Sequence, residues 1–329
     1  MEIAVLGCGN WGSVFGIIQS RNGHKIRIWE FDRSRALRIQ KTRNNEPFLT
    51  GHKIPAPVKV SPDLGETIAG ADLAVFALPC QTLPGVLNRI RKTGIRNPLY
   101  LSLIKGVDIR TLMLPSQTIG RSLRAQKRTY VLSGPSIANE IVRGEPAAVV
   151  LAGPDPKTAR ALQHELATEN FRIYRGRDTV GVEIAGAAKN VLAIAAGIGD
   201  GLGFGANTRG ALLARGIVEL QRLAGKMGGR PETLWGLAGL GDLVTTASSE
   251  ESRNHRVGRM LGEGLTNGQI RIKIVMVAEG LTTARAVHEL AVRYRIEMPI
   301  CETVYRIIYK KLAARQGLRA LMARPLRGE

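Results

Sequence analysis

The stretch EIAVLGCGNWG, residues 2–12, decides the fold. Ile3 to Leu6 form a short apolar run of the kind a buried parallel strand needs, and the run enters a glycine turn. Gly7, Gly9 and Gly12 then spell G-x-G-x-x-G, and the segment WGSVFGIIQSRNG opens behind them as a helix stopped at Gly23. Strand, glycine turn and helix in this order form the dinucleotide fingerprint. Gly7 permits the tight turn, Gly9 lets backbone approach a pyrophosphate, and Gly12 lets the helix pack on the strand. The helix N-terminus adds a field that favours phosphate. A second strand, HKIRIWE, ends at Glu30, about twenty residues on, where an acid accepts a ribose 2′-OH. Glu30 points to NAD rather than NADP, with Arg33 and Arg35 nearby as groups that could pair with a 2′-phosphate instead.

The alternation continues outward from this unit. DRSRALRIQKTRN reads as a basic helix capped by Asp32, followed by a loop with Pro47, Pro55 and Pro57. Further strands are expected in ADLAVFALP, PLYLSLIKG, RTYVLSGPS, AAVVLAG and FRIYRG. Strands alternating with helices predict an α/β domain with a parallel, doubly wound sheet covered on both faces. From Val180 onward the periodicity is helical, with glycine-rich breaks at 197–210 and 236–241. The expectation is a Rossmann-type dinucleotide-binding domain at 1–178 and an all-α substrate-binding and catalytic domain at 179–329.

Bulk properties narrow the function classes. At 329 residues the chain is long enough for two domains with sizeable cores. Cys8, Cys80 and Cys301 are scattered and form no C-x-x-C pair, which fits a reducing cytosol and suggests no disulfide framework. The five histidines show no metal spacing, so no metal is expected. Met1 runs into the first strand with no basic leader, and no apolar run approaches the ~20 residues of a membrane helix. The net charge of +20 is spread along the chain rather than gathered in a tail, and aromatics make up only 5%. Solvated basic faces and attraction for anionic substrates account for it better than nucleic-acid binding does.

GVEIAGAAKNVLAIAAGIGDG, residues 181–201, holds a single lysine, Lys189. On a 100° wheel Ile184, Ala188, Val191, Ala195 and Ile198 share one face, which reads as core. Gly186, Lys189, Ala193, Ala196 and Asp200 share another, nearly bare of side-chain bulk, which a ligand or another backbone could approach closely. Elsewhere, LSLIKG puts Lys105 just past a strand, and SGPS puts Ser133, Gly134 and Ser136 at a strand-to-helix turn. LAGLGDL and SSEESRNHR bring Asp242, Ser252, Arg253 and Asn254. The SRN group beside an acid-bearing glycine loop is a compact set of donors for a small phosphorylated substrate.

These motifs taken together resemble a known family. GCGNWG, the KG at 105, SGPSIANE, GAAKNVLAIAAGIGDGLGFGANTRGALLARG, LAGLGDLVTT, SRNHRVG, VAEG and EMPI look like the NAD(P)-dependent glycerol-3-phosphate dehydrogenases of the bacterial type, in order, from residue 1 to about 310. The resemblance implies reversible reduction of dihydroxyacetone phosphate to sn-glycerol 3-phosphate for glycerophospholipid synthesis, by a cytoplasmic homodimer using NAD(H) or NADP(H). It implies that Lys189 is the proton donor and acceptor, with Lys105 and Asp242 also catalytic. It implies substrate contacts from Lys105, Gly134, Ser136, Lys189, Asp242, Ser252, Arg253 and Asn254. Cofactor contacts would come from Gly7, Gly9, Asn10, Trp11, Gly12, Glu30, Phe31, Lys105, Ala138, Arg253, Val277 and Glu279. One departure stands out: where the family often has His or Arg just after the second strand, this chain has Phe31 and Asp32.

Overall fold

The computed structural model describes residues 1–95, 98–273 and 278–325. They divide into two compact units, Met1–Lys105 with Met113–Val182, and Gly106–Leu112 with Glu183–Glu329. The segment 106–112 thus groups with the second half of the chain, although it follows a strand of the first.

The first unit is built on ten strands: β1 (Glu2–Leu6), β2 (Lys25–Trp29), β3 (Asn44–Asn45), β4 (Leu49–Lys53), β5 (Lys59–Ser61), β6 (Leu73–Phe76), β7 (Leu99–Ser102), β8 (Thr129–Ser133), β9 (Ala147–Ala152) and β10 (Phe171–Gly176). Eight of them form one sheet in the order β10-β9-β8-β7-β6-β1-β2-β5. Between them run α1 (Asn10–Arg21), α2 (Arg33–Thr42), α3 (Leu64–Ile68), α4 (Leu83–Thr93), α5 (Pro115–Leu123), α6 (Ala138–Val142) and α7 (Pro156–Leu166). The strand direction alternates side chains across the sheet, and both sides are buried. Ile3 and Val5 join one apolar layer with Val14 and Ile17 of α1, while Ala4 and Leu6 join another with Leu87 and Ile90 of α4. That is why β1 reads as an unbroken apolar run rather than an alternating one. β1 lies between β2 and β6, so the chain leaves it in both directions across the sheet, and the glycine turn emerges at this switch point.

Two features depart from the sequence reading. The sheet is not wholly parallel, because β9 runs antiparallel to β8. The Pro47–Pro57 region is not simply a loop: β3 and β4 form an antiparallel hairpin, and β5 extends the main sheet at its edge beside β2.

The second unit is helical. α8 (Thr179–Gly201) starts in the first unit and continues through the second. It is followed by α9 (Ala206–Lys226), α10 (Asp242–Ser248), α11 (Arg253–Gly262), α12 (Asn267–Lys273), α13 (Glu279–Tyr294), α14 (Pro299–Tyr309) and α15 (Ala314–Met322). The expected glycine break at 197–210 is confined to the few residues between α8 and α9, because Gly197 and Gly201 remain helical. α8 is also long and apolar enough to cross a membrane by length and composition, contrary to the sequence reading, but its apolar window is entirely buried, as in a core helix. The motif EMPI marks the start of α14, where buried Glu219 of α9 accepts the backbone N–H groups of Ile300 and Cys301.

Glycines set the distance between α8 and α11. A Cβ at Gly197 would lie 2.0 Å from the His255 carbonyl oxygen, and one at Gly258 would lie 2.1 Å from that of Ile194. Gly201 and Gly262 are equally confined, against the carbonyls of Arg259 and Ile198. The two backbones are therefore in direct contact, and no rotamer change can relieve an added methyl group.

Gly258→Ala should accordingly destabilise the protein by about 1–3 kcal/mol, the usual cost of overpacking, and lower Tm by several degrees. Gly210→Ala, on α9 with open space around it, should be neutral or slightly stabilising. Equal melting curves for the two variants would show that α8 and α11 are not in contact.

Candidate active site

The first unit carries a cradle for a dinucleotide. Gly7 has φ +118°, a conformation few other residues tolerate, and a Cβ there would lie 2.4 Å from the Ala77 carbonyl oxygen. A Cβ at Gly12 would lie 2.0 Å from the Gly7 carbonyl oxygen, so α1 and the turn pack backbone on backbone. Gly9 differs from both: it faces open space and caps α1 with no side-chain hydrogen bond. The first-turn N–H groups of α1 thus point at room into which a phosphate fits. The Oδ1 atom of Asn10 in the same turn is buried with no hydrogen-bond partner. As an acceptor it cannot bind a phosphate oxygen; what fits a diphosphate is the uncapped α1 terminus over a bare glycine.

Other expected cofactor residues are distributed around this turn. Glu30, at the end of β2, is buried, and burial pushes its carboxyl up despite the Asp32 N–H and Arg35 that pull it down. Phe31, next to it, is 72% exposed and offers a free aromatic face. Trp11 instead packs against Phe15 and Phe171, which ties its ring to the core edge. Cys8 sits inside the turn, and burial pushes its thiol up to about 11 against the opposing pull of the Ser13 hydroxyl, which makes it a poor nucleophile.

The SGPS motif forms the turn from β8 to α6. Gly134 has φ +148° and abuts Val149 of β9. Lys105 Nζ donates to the Gly134 carbonyl at 3.0 Å and to Ser136 Oγ at 3.2 Å, so a lysine distant in sequence joins the SGPS turn in one polar cluster. Ser133 Oγ is buried there with no hydrogen-bond partner, and Ala138 begins α6.

In the second unit, the small-residue face that carries Lys189 is covered by protein. α8 is buried on every side around it, and the Lys189 side chain is 6% exposed. Its Nζ reaches inward: it donates to Asp242 Oδ1 at 2.8 Å and to Thr246 Oγ1, and Thr246 Oγ1 lies 3.3 Å from Asp242 Oδ1. Snorkelling to water is therefore ruled out. LAGLG, Leu237–Gly241, forms a single π turn that leads into α10 at Asp242. Gly239 makes this possible, since a Cβ there would lie 2.1 Å from the Leu234 carbonyl oxygen. Such a turn re-aims the next side chain, as π turns at functional sites do. Thr246 was missed in the sequence, although its position one helical turn after Asp242 puts both on one face of α10.

The SRN group is the first turn of α11. Ser252 Oγ caps the helix by accepting the His255 N–H at 3.2 Å. Asn254 Oδ1 accepts the Gly280 N–H at 3.0 Å, which joins this turn to the start of α13. Burial lowers the Arg253 guanidinium from its ordinary value, and Glu279, at that start, works in the opposite direction. His255 Nε2 lies 2.7 Å from Asp200 Oδ2, and Arg209 lies 2.7 Å from Asp200 Oδ1, so the end of α8 is pinned to both α9 and α11. Val277 lies outside the described residues. Among the described residues, no group of three or more His, Cys, Asp or Glu is placed to hold a metal ion.

Comparison with known proteins gives a consistent result. Residues 2–159 match the family described as NAD-dependent glycerol-3-phosphate dehydrogenase N-terminus, and residues 178–319 match the corresponding C-terminus. The chain is 41% identical to glycerol-3-phosphate dehydrogenase [NAD(P)+] of Solidesulfovibrio magneticus over the full length of both proteins. It is 42% identical to the enzyme of that name from Dechloromonas aromatica, covering 98% of each. The crystal structure of glycerol-3-phosphate dehydrogenase from Coxiella burnetii superimposes with a TM-score of 0.93 at 35% identity, covering 98% of this chain and 99% of the other.

The buried ion pair makes its own prediction. Lys189→Met removes the cation that offsets burial of the Asp242 carboxylate, and breaking such a pair costs about 3–5 kcal/mol. The double variant Lys189→Met/Asp242→Asn carries no buried charge at this point and should recover most of that loss in a denaturant titration. If the single variant is as stable as wild type, the pair is not buried as described.

Proposed function

The chain belongs to the NAD-dependent glycerol-3-phosphate dehydrogenase family, and we propose that Lys189 is the residue through which it moves the proton of that family's reaction. The protein is an oxidoreductase that interconverts dihydroxyacetone phosphate and sn-glycerol 3-phosphate with NAD(H) or NADP(H), a step that supplies glycerophospholipid synthesis. When bound, the cofactor would supply the hydride that C2 of the ketone receives. As the carbonyl electron pair moves onto oxygen, Lys189 Nζ gives that oxygen a proton, and in the reverse direction Nζ receives it from the C2 hydroxyl.

The observation that carries this reading is the fixing of Nζ by Asp242 and Thr246 inside a buried helix. A cation held in place needs no reorganisation when negative charge develops on the substrate oxygen, which is the largest advantage a site can offer. A proton donor so placed adds about 10²–10⁴-fold. Asp242 and Thr246 then serve to position the ammonium. Gly7, Gly9, Asn10 and Gly12 hold the diphosphate, and Glu30 and Phe31 take the adenosine side. Lys105, Gly134 and Ser136 contribute substrate contacts, with Lys105 and Ala138 also touching the cofactor. Ser252, Arg253 and Asn254 anchor the substrate phosphate at the first turn of α11, where helix field and guanidinium act together. Glu279 contributes beside Arg253.

We further infer a homodimer in the cytoplasm, with no nucleic-acid partner. Three buried cysteines, none of them in a disulfide, and the family resemblance support that setting. A dehydrogenase for 3-hydroxy acids, which shares this two-part organisation, would have no use for the Ser252–Asn254 anchor.

Dihydroxyacetone phosphate should therefore be reduced with a kcat/KM at least about 100-fold above that of dihydroxyacetone, since charge-assisted bonds contribute about 1.5–3 kcal/mol each. Arg253→Ala should raise KM for the phosphorylated ketone by about tenfold or more and change little with the unphosphorylated one. Similar rates on both ketones in the wild type would remove the phosphate anchor, and with it the assignment of Arg253.

A further inference from the structure

In folds of this kind the glycine turn takes the diphosphate, and the acid at the end of the second strand takes the ribose hydroxyls, unless an arginine nearby takes a 2′-phosphate. This chain has both the acid and the arginine, and they are bound to each other. Arg35, in the first turn of α2, places Nη2 3.0 Å from Glu30 Oε2, and Glu30 Oε1 accepts the Asp32 N–H at 3.1 Å. The Glu30 side chain is only 3% exposed and that of Arg35 18%. Arg35 Nη2 also donates to the Cys8 carbonyl, in the middle of the glycine turn, and the guanidinium lies 4.1 Å over the Phe48 ring. Asn45 donates to the same carbonyl at 2.8 Å, so the β3–β4 hairpin closes around the turn. One donor of this anchored guanidinium, Nε, is buried with no hydrogen-bond partner.

These contacts change what Glu30 can do. An acid whose carboxylate is paired with a fixed arginine offers little repulsion to a second negative charge. The arginine, planar and rigidly stacked, suits a phosphate. We propose that Arg35 is the residue that sets cofactor specificity: it masks Glu30 and donates to a 2′-phosphate, so that one site accepts both NADH and NADPH. The assignment rests on the reading of the glycine turn as the dinucleotide cradle. It also accounts for the lack of a basic residue at positions 31 and 32, because the charge is supplied one helical turn later.

The test is equilibrium binding of NADH and NADPH by calorimetry at fixed ionic strength, without ketone. Wild type should bind both within about tenfold of each other. Glu30→Gln keeps an acceptor for the Asp32 N–H, and the double variant Glu30→Gln/Arg35→Met then removes the guanidinium without stranding a buried carboxylate. Between these two variants NADPH should weaken by about 10- to 100-fold, the equivalent of one or two charge-assisted bonds, while NADH changes by less than about threefold. A merely structural role for Arg35 would weaken both nucleotides together, and that outcome overturns the proposal. So does a wild type that binds NADH and excludes NADPH, or a double variant that retains NADPH as Glu30→Gln does. If wild type binds neither nucleotide, the cradle itself is misassigned and this inference falls with it.

Discussion

Two opposite charges, Lys189 and Asp242, lie almost out of reach of water in the helical unit, and the construction around them follows from that. Neither charge could be buried alone, because the desolvation cost of each exceeds what an apolar interior returns. Their pairing is stable only while geometry holds Nζ against the carboxylate. The π turn at Leu237–Gly241 aims Asp242, Thr246 adds a hydroxyl, and the small residues of α8 let its neighbours come close enough to hold the arrangement. A hydrophobic substitute for the pair would be easier to bury. A cation fixed in this way is what the proposed proton site requires.

The glycines extend the same constraint to the substrate anchor. Contact between α8 and α11 leaves no slack in the distance from Lys189 to the first turn of α11, where Ser252, Arg253 and Asn254 lie. The Asp200–Arg209–His255 cluster ties down the far end of α8, and Asn254 joins α11 to α13. Each element carrying a proposed substrate contact in this unit is thus fixed by backbone contact or by a hydrogen-bonded charge. A reaction that aligns a ketone for hydride and proton transfer loses rate steeply with small misplacements, which gives this rigidity its use.

The glycine turn, the main strands and the change to helix were legible because each rests on short-range rules: apolar runs for buried strands, G-x-G-x-x-G between strand and helix, and 3.6-residue periodicity. The short β3, β4 and β5 were hidden by the prolines around them, because a strand of two to five residues leaves too little pattern to outweigh such breakers. The reversed direction of β9 left no mark, since a strand buried on both faces reads the same either way. For the site, residue types and positions were visible but their partners were not. The wheel placed Lys189 on the small-residue face, which a ligand or another backbone could approach; that other helices cover it is decided only by tertiary packing. Thr246 carried no signal beyond its four-residue spacing from Asp242. Gly197 and Gly201 looked like helix breakers because propensity penalises glycine, whereas close contact with α11 requires it.

Glu30 shows how far a motif position can go toward a function. An acid at the end of the second strand announces a ribose contact only if its charge is available. Here the next helix turn supplies a guanidinium that is held simultaneously by the acid, by the Cys8 carbonyl and by an aromatic ring. The local field at that point is set by the pair rather than by either residue. The same reasoning applies to the +20 net charge of the whole chain. Both ligands of the reaction are anionic, so an excess of basic side chains raises their local concentration and speeds encounter without any one of them touching a ligand. The charges that are buried and paired, Lys189, Glu30 and Arg35 among them, are the ones proposed to meet those ligands at their sites.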